Sequence, residues 1–60
     1  MEEKDDAGLV KAVAEEFVAR LGAAAPAELY DLAEIAAGAG DQASAEAWRD
    51  IARAAERLIN

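Results

Sequence analysis

Three carboxylates, Glu28, Asp31 and Glu34, recur every three residues, and three guanidinium groups, Arg49, Arg53 and Arg57, recur every four. On a helix either spacing draws the charges into a strip along one side. An acidic strip can dock against a basic groove, or imitate a run of phosphates as acidic inhibitor proteins do. An arginine ridge can contact nucleic acid or an acidic partner. Each has a plainer reading. The acidic strip also suits a solvated face that keeps a small protein soluble. The ridge is interleaved with Glu46, Asp50 and Glu56, so that Glu46/Arg49, Asp50/Arg53 and Arg53/Glu56 form i, i+3 pairs of about 0.2–0.5 kcal/mol each. Three arginines matched by three acids leave the ridge neutral, and nucleic-acid binding is not expected of a chain with net charge −7.

Other chemistry has few residues to work with. General acid–base and nucleophilic catalysis draw on His, Cys, a Ser with a base, or paired carboxylates in a pocket. The chain has neither His nor Cys, and its one serine, Ser44, stands at a helix start without a base. Disulfides and Cys or His zinc sites are excluded on the same ground. The carboxylates of the strip do not match the spacing of a calcium loop. The run Gly38-Ala39-Gly40-Asp41 has glycines ahead of a helix, as a phosphate loop does, but no strand precedes it, no Lys-Ser or Lys-Thr follows it, and Asp41 would repel a phosphate. No catalytic, cofactor-binding or metal residue is expected, and neither is a small-molecule substrate or an enzymatic activity.

The elements that must position the strip and the ridge are three helices. Leu9, Val10, Val13, Ala14, Phe17, Val18 and Leu21 follow i, i+3, i+4, i+7 and predict a helix over about 6–21. Their arc covers about half the circumference, enough to touch two neighbours. Asp5 or Asp6 can cap its start, and Gly22 suits its end. Residues 22–26 read as a break, because Pro26 lacks an N–H and disfavours helix in the residue before it, while Pro26 itself suits a first helical position. The second helix is expected over 26–37, with Leu29, Leu32, Ala33, Ala36 and Ala37 inward, Glu28, Asp31 and Glu34 outward, and Gly38 and Gly40 ending it.

A third helix is predicted over 41–59. Asp41 serves as its cap, with Ser44 as the alternative. Ala47, Trp48, Ile51, Ala52, Ala54, Ala55, Leu58 and Ile59 fall within about 160°, and the arginines lie opposite. A short connection makes helices 2 and 3 an antiparallel hairpin. The expected fold is all-α, a small three-helix bundle forming one domain over 1–60, with residues 1–5 frayed. No strand is expected, because β-branched residues are few and never alternate.

Of the 33 apolar residues among 60, 18 are alanine, and Leu, Ile, Val and Phe number only 12. Composition alone therefore borders on disorder, and helical periodicity argues against it. A chain of this length buries only about 60% of its unfolded surface. With no covalent or metal staple, high helix propensity or a second chain must supplement the core. No apolar run reaches the 18 residues a membrane span needs. The start, Met1-Glu2-Glu3-Lys4-Asp5-Asp6, is acidic where a secretory signal would be basic and then apolar, so a cytoplasmic location is expected.

The expected core is Leu9, Val13, Phe17, Leu21, Leu29, Leu32, Trp48, Ile51, Ala55 and Leu58, with Trp48 as its largest member. Val10 and Val18 are left to meet a second chain, because the apolar arc of helix 1 is wider than one neighbour covers. Tyr30, where helix 2 turns from apolar to acidic, suits an edge contact.

The pattern Gly40-Asp41-x6-Trp48-Arg49-x-Ile51-x2-Ala54-x3-Leu58 resembles a group of short, Ala-rich bacterial proteins of uncharacterised role. These end in a Gly-Asp turn and a Trp-Arg-x-Ile helix, and the resemblance covers about residues 17–59. It implies no activity, so no residue role is carried over.

The function expected from the sequence is that of a protein–protein interaction module that binds a protein partner, itself included as a homodimer, through Val10, Val18, Glu28, Tyr30, Asp31 and Glu34. The alternative is an acidic inhibitor or antitoxin-like decoy using the acidic strip. A designed helical protein without a biological role is the further alternative. Against that origin stand Ala23-Ala24-Ala25 and the irregular glycines, since designs fill helices with Glu, Lys and Leu.

Overall fold

A computed structural model describes residues 5–60, with side chains from Gly8 onward. Among the described residues the chain is all helical: α1 spans Asp5–Leu21, one 3-10 turn covers Gly22–Ala24, α2 spans Ala25–Gly38 and α3 spans Gln42–Ile59. The three boundaries agree with the periodicity to within a residue. Fraying of residues 1–4 and capping by the side chain of Asp5 or Asp6 lie outside the described residues, and Asp5, expected to fray with them, is the first helical residue of α1. No described helix is long and apolar enough to cross a membrane.

The break expected over 22–26 is shorter than the sequence implies. Gly22, at φ 60°, ends α1 in the left-handed conformation that an L side chain resists. Ala25 is already helical at φ −58°, ψ −46°, and its N–H donates to the Gly22 carbonyl. Proline disfavours that conformation in its predecessor. Here the missing N–H of Pro26 costs nothing, because first-turn N–H groups have no intrahelical acceptor, and Ala25 gains full burial.

Between α2 and α3 the chain turns on Gly40 and Asp41. Gly40, at φ 83°, donates to the Ala37 carbonyl at 3.0 Å, and Asp41 N–H donates to the Ala36 carbonyl at 2.9 Å. This pair of bonds closes a helix around a left-handed residue. The Asp41 carboxylate then accepts from Ser44 N–H at 3.1 Å and caps α3. Asp41 thus finishes one helix with its backbone and starts the next with its side chain. Gly38, expected to share in ending α2, is its last helical residue, and Ser44 serves as donor to the cap. Its hydroxyl and its N–H both hold the Asp41 carboxyl below the ordinary value. That contribution is present above the ordinary carboxylate range and is lost as pH falls through the lowered folded-state pKa.

α3 is the central element, in extensive contact with α2 and less with α1, whereas α1 and α2 scarcely meet. The particle measures 33 × 30 × 16 Å, a thickness that admits two helix layers at interaxial distances of about 8–10 Å. Val10 shares a groove with Ala54 and Leu58, Val13 another with Ala47 and Ile51, and Phe17 meets Trp48 edge-on at 6.1 Å between ring centroids. α1 therefore runs along α3 in the opposite sense.

Among the described residues, seven of the nine buried apolar ones are alanines: Ala14, Ala25, Ala33, Ala45, Ala52, Ala54 and Ala55, joined by Leu29 and Ile51. Of the expected core, Leu29, Ile51 and Ala55 are buried, and Val13, Phe17, Leu32 and Trp48 are half-buried against it. Leu9, Leu21 and Leu58 are corrections, at 63%, 43% and 42% exposure. α1 has essentially one helical neighbour, so only the stripe around Ala14 and Phe17 is covered. At 100° per residue Leu9 lies well to one side of that stripe. Leu21 and Leu58 stand in the last turns of their helices, where cover runs out.

Gly8 lies inside α1, and a Cβ built on it meets nothing within 4 Å. Gly8→Ala is expected to stabilise the fold by about 0.5–1 kcal/mol, through helix propensity alone. A melting temperature raised by a few degrees in a circular dichroism melt is the check, and an unchanged or lower value would contradict it.

Candidate functional site

On α2 the buried face is set by Ala25, Leu29 and Ala33, each four residues on from the last. That spacing sends Glu28, Asp31 and Glu34 to the far side, and all three are exposed. The strip expected from the spacing is thus formed. Its C-terminal end, however, is apolar: Ile35, next after Glu34, is 68% exposed, and at 100° per residue its direction falls between those of Glu28 and Asp31. Ile35 was absent from the residues picked out by sequence. Its signal was available, since it is out of phase with Leu29, Leu32, Ala33 and Ala36. Glu28 also reaches the end of α1, lining a hollow with Phe17, Arg20 and Leu21. Arg20 there is paired with Glu16 at 3.6 Å, both side chains well exposed, a contact worth little in water.

Val10 and Val18 stand differently from expectation, whereas Tyr30 takes the boundary position expected of it. All three are half-buried and packed against the core. At 100° per residue Val10 and Val18 flank the buried Ala14 on either side, so the contact that covers Ala14 covers part of both. Tyr30 lies about 60° round the helix from the buried Ala33, at the margin of the covered face. The apolar side chains most open to solvent are instead Leu9, Leu21, Ile35, Leu58 and Ile59.

A second surface lies between α1 and α3. An open groove of about 550 Å³ has Val10, Ala54 and Leu58 as its apolar part and Lys11, Arg53 and Arg57 as its cationic rim. Asp50 lies on the same rim and accepts a hydrogen bond from Arg53. Of the three i, i+3 pairs read from the sequence, this is the one closed among the described residues. The ridge is therefore split: Arg53 and Arg57 are exposed at the groove, whereas Arg49 is half-buried. Electrostatically the groove carries an excess of positive charge and the α2 strip is wholly negative.

Trp48 sits half-buried at the Phe17 edge contact and belongs to the core margin. The glycines before α3 act as helix terminator and turn. Among the described residues no three acidic side chains draw together as a metal-holding group. Comparison with protein-family models, with curated proteins and with solved structures returns no match.

Proposed function

We propose that the protein is a small three-helix module, its α2–α3 pair an antiparallel hairpin set against α1, and that its role is to bind another protein chain, its own copies included. The carrying observation is an imbalance of bulk. Leu29 and Ile51 are the large apolar side chains that reach burial, whereas Leu9, Leu21, Ile35, Leu58 and Ile59 are exposed. A domain of this length has little stability to spare, and covering those side chains would add the apolar burial that its alanine core cannot supply. An acidic decoy acting by charge alone is less well supported, since the exposed isoleucine at the end of the strip serves no electrostatic purpose.

Sedimentation equilibrium tests this. At micromolar concentration the expected species is a dimer or larger, and its melting temperature falls on dilution. A monomer mass throughout, with a concentration-independent melt, would sink the proposal. High salt separates the two classes, because an apolar contact persists where a charge-only contact is screened away.

A further inference from the structure

The module has two exposed surfaces of opposite sign, on different elements and with no residue in common. One is the α2 patch, Ile35 with Glu28, Asp31 and Glu34. The other is the groove between α1 and α3, apolar at Val10, Ala54 and Leu58 and cationic at Lys11, Arg53 and Arg57. Resting on the self-association proposed above, we infer that the groove of one copy receives the Ile35 patch of a second copy.

Charge complementarity selects that occupant. Joining two α2 patches would set six carboxylates against one another, and joining two grooves would set cationic rims face to face, both of which cost affinity. Patch against groove places Ile35 on apolar surface and the three acids beside Lys11, Arg53 and Arg57. Both halves combine an exposed apolar part with charged side chains, as contact sites do. Arg53 and Asp50 offset each other as an ion pair, which leaves Lys11 and Arg57 as the groove's net positive charge. Two such contacts related by a twofold axis close a dimer, and without that axis the same contact adds further copies head to tail.

A charge-swap experiment tests the pairing. One variant carries Glu28→Lys, Asp31→Lys and Glu34→Lys, and the other carries Lys11→Glu, Arg53→Glu and Arg57→Glu. All six positions are exposed, and far-ultraviolet circular dichroism checks that each variant keeps its helix content. Each variant alone bears like charge on patch and groove, so its association should weaken by at least about tenfold relative to the unaltered chain. Mixed one to one, the two variants present complementary surfaces again and should recover assemblies of wild-type mass. The mixture also guards against misfolding, because only folded partners can rescue one another. If either variant alone associates like the unaltered chain, or if the mixture stays monomeric while the unaltered chain associates, the patch-to-groove pairing is wrong and self-association stands. If the unaltered chain is itself monomeric at every concentration, both proposals fall.

Discussion

Leu29→Ala is expected to remove most of the protein's stability. Leu29 is the one large side chain that is fully buried among the described residues, in a core otherwise made mostly of alanine. Deleting a buried leucine's outer carbons costs about 2–5 kcal/mol, through lost transfer energy and the cavity left behind. A chain of 60 residues has only roughly 3–9 kcal/mol in all, at the usual stability per residue. The cavity has little prospect of collapsing, because five of the buried residues that share the core cluster with Leu29, namely Ala14, Ala25, Ala52, Ala54 and Ala55, have no rotamers with which to fill it. The melting temperature should fall by at least about 10 °C, taking roughly 4–8 °C per kcal/mol for a domain of this size. Ile35→Ala makes a similar deletion six residues along the same helix, at a site 68% exposed, and is expected to stay within about 0.5 kcal/mol of the unaltered protein. Both are measured in thermal melts at a dilution where self-association is absent, since Ile35 is also the apolar part of the proposed contact. A Leu29→Ala melt within about 3 °C of the original would show that the alanine interfaces hold the fold without it.

The contrast between Leu29 and Ile35 also marks how far the sequence could be read. Helix limits were legible because they depend on local chemistry. Gly22 and Gly40 take positive φ, Pro26 falls in a first turn and Asp41 caps, whatever surrounds them. The acidic strip was legible for the same reason, since a three-residue spacing on a helix needs no knowledge of neighbours. Burial was not. It depends on which helix faces which, and α1 lies against α3 with scarcely any contact to α2, so one edge of a broad apolar arc, at Leu9, has nothing over it. Leu9 shares the heptad logic of Val13 and Phe17, yet lies off the covered stripe. Alanine was the harder problem. It occurs 18 times, and its weak hydrophobicity hardly distinguishes the buried Ala25, Ala45 and Ala52 from the exposed Ala19, Ala27 and Ala43. The groove was invisible for a different reason: Lys11 and Arg57 are far apart in sequence, and only the packing of α1 on α3 puts them on one rim.

Those alanines carry the second large effect, which comes from adding bulk. Ala52→Leu is expected to destabilise the fold by about 1–3 kcal/mol, the usual cost of overpacking a close interface. The apolar residues of α3 that share grooves with α1 are Ala47, Ile51, Ala54 and Leu58. At 100° per residue Ala45, Ala52 and Ala55 fall on the other flank of the buried arc, the side left for α2. Small side chains there let two helix axes approach towards the low end of the usual separation of about 8–10 Å. A leucine at Ala52 must push them apart, and the short corner at Gly40 and Asp41 ties α2 to α3 too closely for one to slide clear of the other. Leucine and alanine are both good helix formers, so the loss cannot come from propensity. Ala43→Leu is the matched control, because Ala43 is exposed on the same helix and the same three carbons enter solvent there. The expected result is a clearly lower melting temperature and faster amide exchange along α2 and α3 for Ala52→Leu, with Ala43→Leu close to the original. Equal melts for the two would mean that the α2–α3 contact is loose enough to admit a leucine, and that alanine at Ala52 reflects helix propensity alone.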